Sequence, residues 1–148
     1  MTLRLTLAIA TALLLATGCG KSKVDQCNAF IERANSSQTV VSSVHLDGDD
    51  PAPIEAAAAK VDAESKGVSD VKLEDPKLVD MKTRYAASLT AFAKTTRELA
   101  GLMKAAKDPK LAADLEGRLK KLEEQATAAE KDEAKIVDEV NVYCTGSK

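Results

Sequence analysis

The chain has 148 residues, 21 basic and 23 acidic side chains, and a formal net charge of −2. So even a balance supplies no basic face, which argues against nucleic acid as a partner. Trp is absent and the aromatics are only Phe30, Tyr85, Phe92 and Tyr143, so alanine, leucine and valine must build the core. Such a core packs helices closely and offers little concave aromatic lining for a ligand pocket.

The first twenty residues carry the most information. Arg4 is a short cationic start, Leu5 to Leu15 form an uncharged leucine-rich run, and Thr17 and Gly18 lead directly into Cys19. A cationic start, an apolar run of about 7–15 residues and small residues at the cut site make a secretory signal peptide. The run is too short for a spanning helix, which needs about 20 apolar residues. With cysteine directly after the small residues, the segment resembles the lipobox of bacterial lipoproteins. Ala16 departs from the pattern, which usually has Leu three residues before the cysteine. The resemblance covers residues 1–20 only and implies cleavage after Gly18, with a diacylglyceryl group on Cys19. It also implies a chain held at the membrane of the cell envelope. Gly20, rather than Asp, after the cysteine points to the outer membrane by the sorting rule of that class.

Removing residues 1–18 leaves about 130 residues, the size of one domain. Arg4 leaves with the signal, so the mature chain is one unit more negative. Residues 19–23 form the lipidated end and a short tether, and residues 24–148 a single helical domain. The tether Gly20 to Lys23 reaches roughly 15 Å. It brings Lys21 and Lys23 near the lipid phosphates, where each basic residue contributes on the order of 1 kcal/mol on an anionic surface.

With Cys19 assigned to the lipid, Cys27 and Cys144 remain. An even pair in an exported chain is most simply a disulfide, because the periplasm is oxidising. Closing a loop of this length is worth at most about 4–5 kcal/mol in the chain-entropy model. A reactive thiol is the alternative. A metal site is not expected, because one distant His and two distant cysteines lack clustered ligand spacing.

Helical periodicity runs from Val24 onward. In the first helix Val24, Cys27, Ile31, Ala34, Val41 and Val44 form the stripe with Phe30 beside it, and Ser36 to Thr39 lower the propensity mid-way. Asp47 to Pro53 is a breaker. A weaker second helix uses Ile54, Ala57, Ala58, Val61 and Ser65 and fades near Gly67; Ser69 to Leu73 reads as helix or loop. Asp75-Pro76 starts the third helix, with Asp as N-cap and Pro at the first helical position. Its stripe is Leu78, Met81, Tyr85, Leu89, Phe92, Thr96, Leu99, Met103 and Ala106. Asp108-Pro109 repeats the cap chemistry and starts the fourth helix. That stripe runs through Leu111, Leu115, Leu119, Leu122, Ala126, Ala129, Ile136, Val140 and Tyr143, interrupted at Asp132-Glu133.

Helices three and four, about 30 residues or roughly 45 Å each, should fold back as a hairpin. A turn near Pro109 sets Phe92 level with Ala126, Leu89 with Ala129, Leu99 with Leu119 and Gly101 with Gly117. The facing glycines would permit close backbone approach. Level with Asp132-Glu133 lie Lys82 to Tyr85, which predicts a buried or half-buried contact of Glu133 with Arg84 or Tyr85. The fold class is therefore all-α, an antiparallel up-down four-helix bundle, and that topology brings Cys27 and Cys144 to one end. The alternative is a three-helix bundle with Ile54 to Leu73 as an excursion.

No catalytic site can be assembled. His45, the only histidine, sits beside Asp47, Asp49, Asp50 and Glu55, a run without the EF-hand ligand pattern. It has no orienting partner for nucleophilic catalysis. The mixed-sign runs at 120–124 and 130–135 read as a solvated face, or as the polar rim of a partner-binding helix face. The expectation is a non-catalytic envelope lipoprotein without a cofactor, binding another protein through a helix face. The alternative is a helical carrier or sensor of a small apolar ligand or metal ion.

Overall fold

The computed structural model describes residues 21–44, 50–107 and 114–146. Among them are four helices and no strand: α1 (Lys23–Ser42), α2 (Pro51–Ser69), α3 (Pro76–Ala106) and α4 (Leu115–Thr145). Residues 1–20, with Cys19, lie outside the described residues, as do His45, Asp47, Asp49 and the Asp108-Pro109 cap.

Local chemistry sets the helix ends. Ser22 and Asp25 close a capping box at the start of α1. Asp50 accepts from the Ala52 amide at 3.0 Å, with Pro51 opening α2. Asp75 accepts from the Lys77 and Leu78 amides at 2.9 and 3.1 Å, with Pro76 opening α3 as its sequence predicts. The end of α4 is Gly146 at φ 70°, a conformation that glycine adopts without steric cost. The Ser36 to Thr39 stretch does not break α1, because Ser37 is buried with Oγ 3.0 Å from the Arg33 carbonyl and 3.1 Å from Glu64 Oε2.

Cross-helix contacts give the topology. Glu55 meets Lys104, Asp62 meets Arg97 and Ser65 reaches the Ala86 carbonyl, so α2 runs antiparallel to α3. Gln26 reaches Glu74 and Asp75 while Arg33 pairs with Glu64 further along, so α1 and α2 are antiparallel as well. Arg84 pairs with Glu139 at 2.6 Å, and Cys27 is joined to Cys144 across a Cα–Cα distance of 5.8 Å. The molecule is thus an antiparallel helical bundle closed by one disulfide. The three-helix alternative fails because α2 is a regular helix, with Ile54, Ala58, Val61 and Val68 almost fully buried. It extends to Ser69, past the expected fading at Gly67. Gly67 has a packing reason, since a Cβ there would overlap the Arg33 guanidinium.

The core joins Cys27, Phe30, Val61, Val68, Leu78, Tyr85, Leu89, Ile136 and Val140. Tyr85 and Phe30 meet edge to face with ring centroids 6.1 Å apart. Gln26, only 5% exposed, is a polar lock: its Nε2 donates to the Lys21 carbonyl at 2.8 Å, and its Oε1 accepts from the Glu74 and Asp75 amides at 2.6 and 2.9 Å. It ties the start of α1 to the turn before α3.

The hairpin register is the expected one: Tyr143 reaches Asp75 and Glu133 lies beside Tyr85, and both pairs are symmetric about residue 109, while Arg84 reaches a little further along α4 to Glu139. The facing-glycine contact does not form: a Cβ on Gly101 would meet nothing within 4 Å, and one on Gly117 only Asp114 of its own turn. Both glycines are exposed. Leu119 is 44% exposed, so the far part of α4 is covered on fewer sides than the disulfide end.

Candidate functional site

The disulfide clamps the start of α1 to the end of α4, and away from that clamp the two helices share little surface. A groove of about 530 Å³ opens between them. Its α1 wall runs from Phe30 to Val41 and its α4 wall from Ala129 to Asn141. At 1.5 Å per residue each wall is roughly 17 Å long, or three helical turns. Ser88 and Phe92 of α3 form the floor, with the buried Tyr85 beneath them. Of the three aromatics beside the groove only Phe92 is part-exposed, Phe30 and Tyr85 being 1% exposed beneath it, in keeping with the little concave aromatic lining expected of so aromatic-poor a core. The groove is open to solvent: Asn35, Gln38, Glu130, Val137, Asp138 and Asn141 along its edges are exposed.

Glu133 sits half-buried inside this groove. The expected contact with Tyr85 is there, whereas Arg84 turns away to Glu139 and Asp80. Burial is the main reason that the Glu133 carboxyl is pushed above the usual carboxylate range; the nearby Tyr85 hydroxyl acts against the rise and Glu130 adds to it. The Tyr85 hydroxyl lies beside both this carboxylate and the Ala34 carbonyl, 3.2 Å away, and has one proton to share between them. Glu133 Oε1 is buried and has no hydrogen-bond partner of its own among the described residues. Tyr85 is itself pushed up, first by burial and then by Glu133.

This carboxyl takes up its proton more readily in the folded chain than in the unfolded one. Its charge therefore costs stability above the folded pKa. The cost fades as pH falls through that value and is gone below the unfolded one. Glu133→Gln is expected to raise the melting temperature near pH 7 and leave it almost unchanged near pH 4. Asp75 and Glu139 behave oppositely, held low by the Tyr143 hydroxyl and by Arg84 respectively, so their contributions are lost on acidification. The difference between variant and wild type cancels them. A lower melting temperature for the variant at neutral pH would show that the charged carboxylate is already satisfied.

At the disulfide end, the Tyr143 hydroxyl donates to Asp75 Oδ2 at 2.8 Å, and Lys23 Nζ lies 3.7 Å from the Tyr143 ring centroid. Lys23, read as a lipid-facing charge, thus also caps an aromatic face. The imagined acidic site near His45 loses two members to structural roles, since Asp50 caps α2 and Glu55 pairs with Lys104. Among the described residues, no group of three His, Cys, Asp or Glu side chains is placed to hold a metal ion. Nor is any helix among them long and apolar enough to cross a membrane.

The sequence signal for the Glu133 contact was the Asp132-Glu133 interruption of an apolar stripe, which marks a polar group on a core-facing side. The groove itself carried no signal, because periodicity does not say which neighbour covers a stripe. The chain matches no protein-family model, no curated protein and no solved structure with which it was compared.

Proposed function

We propose that this chain is a non-catalytic envelope lipoprotein, anchored by lipid on Cys19, that receives an amphipathic helix of a protein partner between α1 and α4. The observation that carries the reading is the open, largely apolar groove between α1 and α4. It has the length of three helical turns and walls that are themselves helices. A helix laid in such a groove buries one face and leaves the other in water, which suits a site open along one side. A lipid on Cys19 would set the disulfide end toward the bilayer. The groove begins about one helical turn from Cys27 and runs away from it, so a partner would approach from the envelope space.

The test is a photoreactive residue at Val137, on the groove edge, compared with one at Lys120 on the exposed face of α4. In native membranes Val137 should give a discrete crosslinked band and Lys120 none. Bands from Lys120 alone would move the partner to the opposite face, and no band from either position would remove the reading. The second reading is a carrier of a small apolar ligand, favoured by a groove volume of about 530 Å³. That lies in the usual range of ligand pockets, yet such pockets bury roughly 70–90% of their ligand. This groove is open along its length, and the helix reading is preferred for that reason.

A further inference from the structure

The helix reading leaves the character of the partner helix open, and the charges of the groove address it. Its lining contains the carboxylates Glu130, Glu133 and Asp138 and no Lys, Arg or His. The cations nearest in sequence are directed elsewhere. Arg84 is held by Glu139 and Asp80, and Lys131 and Lys135 line an adjoining depression, beside Lys77 and Met81, that shares Ala134 and Asp138 with the groove. Glu133 lies about one turn along the α4 wall from Ala129, with Oε1 buried and without a hydrogen-bond partner among the described residues. A buried acceptor left unmatched is costly, and a charged donor is its strongest complement.

Resting on the helix reading, we propose that the occupant is a basic amphipathic helix whose central lysine or arginine reaches Glu133. Its apolar residues lie over Ile31, Phe92 and Val137, apolar residues of the groove that are at least part-exposed. The long aliphatic stem of lysine or arginine suits this position, because it can lie along an apolar wall and still present its charge at the carboxylate. Glu130 and Asp138, both exposed, sit at the edge and favour further basic residues on the flanks of the same helix. An acidic helix would meet three carboxylates and no cation, and is disfavoured by the same arrangement.

The probe is a displayed library of helical peptides with apolar residues at i, i+3, i+4 and i+7 and all other positions randomised. It is selected against the full-length chain in zwitterionic lipid discs. The best peptide is then remade with its central basic residue replaced by norleucine. On the wild-type protein this replacement should weaken binding about 10-fold. On Glu133→Gln the two peptides should differ by no more than about 2-fold, while Glu130→Gln should keep most of the discrimination. Equal affinities on wild type, or a difference that survives Glu133→Gln, would overturn the charge pairing and leave the helix reading standing. If no helix is enriched, or enriched helices are not displaced by Val137→Trp, the helix reading fails and the pairing with it. The norleucine comparison is made on wild type, so it stays decisive even if the Glu133 variant is poorly folded.

Discussion

Replacing Cys27 and Cys144 together by alanine is expected to lower the melting temperature by on the order of 10 °C. The bridge joins residues 117 apart in sequence, so its loss frees a large part of the unfolded chain. A native bridge in a small exported domain is typically worth about 2–5 kcal/mol. The native state is affected locally as well. α1 and α4 share little surface apart from this clamp, so the start of α1 depends on it more than α3 does. Hydrogen exchange should therefore rise first in the opening turns of α1 and the closing turns of α4, with the centre of α3 still protected. Unchanged melting with uniform exchange would mean that the Gln26 lock and the Phe30 contact hold α1 by themselves. Intact mass with and without reduction tests the bridge directly, and on native material it also reports whether Cys19 carries lipid.

Tyr85→Ala is expected to cost about 3–5 kcal/mol, as for other buried large-to-small aromatic changes. Tyr85 is 1% exposed, meets Phe30 edge to face, and donates its hydroxyl to Ala34. It is at the centre of the core and lies beneath the groove floor, so its removal deepens the groove while loosening α1. Tyr85→Phe separates the two contributions. The ring remains, the Ala34 carbonyl loses its donor, and the cost should fall to about 1 kcal/mol. Denaturant melts of both variants measure the difference. A Tyr85→Ala cost below that of Tyr85→Phe would show that the ring packs less tightly than its burial implies.

Caps, stripes and cysteine parity were legible without coordinates because each is a local or combinatorial property. Asp75-Pro76 is a local helix-opening signal, Leu78 to Met103 repeats at helical spacing, and with Cys19 set aside as the expected lipid site Cys27 and Cys144 have one partner each. The polar groups that hold the bundle were not legible. Gln26 reads as a surface residue until the amides of Glu74 and Asp75, 48 and 49 positions away, arrive to bond its Oε1. Ser65 looks like a weak point in an apolar stripe until the Ala86 carbonyl and Thr90 hydroxyl, each 2.8 Å away, take up its hydroxyl.

By itself, then, the sequence determined an all-helical chain with its faces assigned, two antiparallel long helices and one bridge between the ends of the domain. Hydrophobic spacing, cap chemistry and cysteine count act over a few residues or over composition, so they need no fold to be read. Tertiary structure alone decided that α1 and α4 part beyond the disulfide, that Phe92 faces the opening over the buried Phe30 and Tyr85, and that Glu133 is left there with a buried oxygen unmatched. The physical reason is that a stripe specifies which side of a helix avoids water. How far two helices diverge depends on side chains from all the others packing at once.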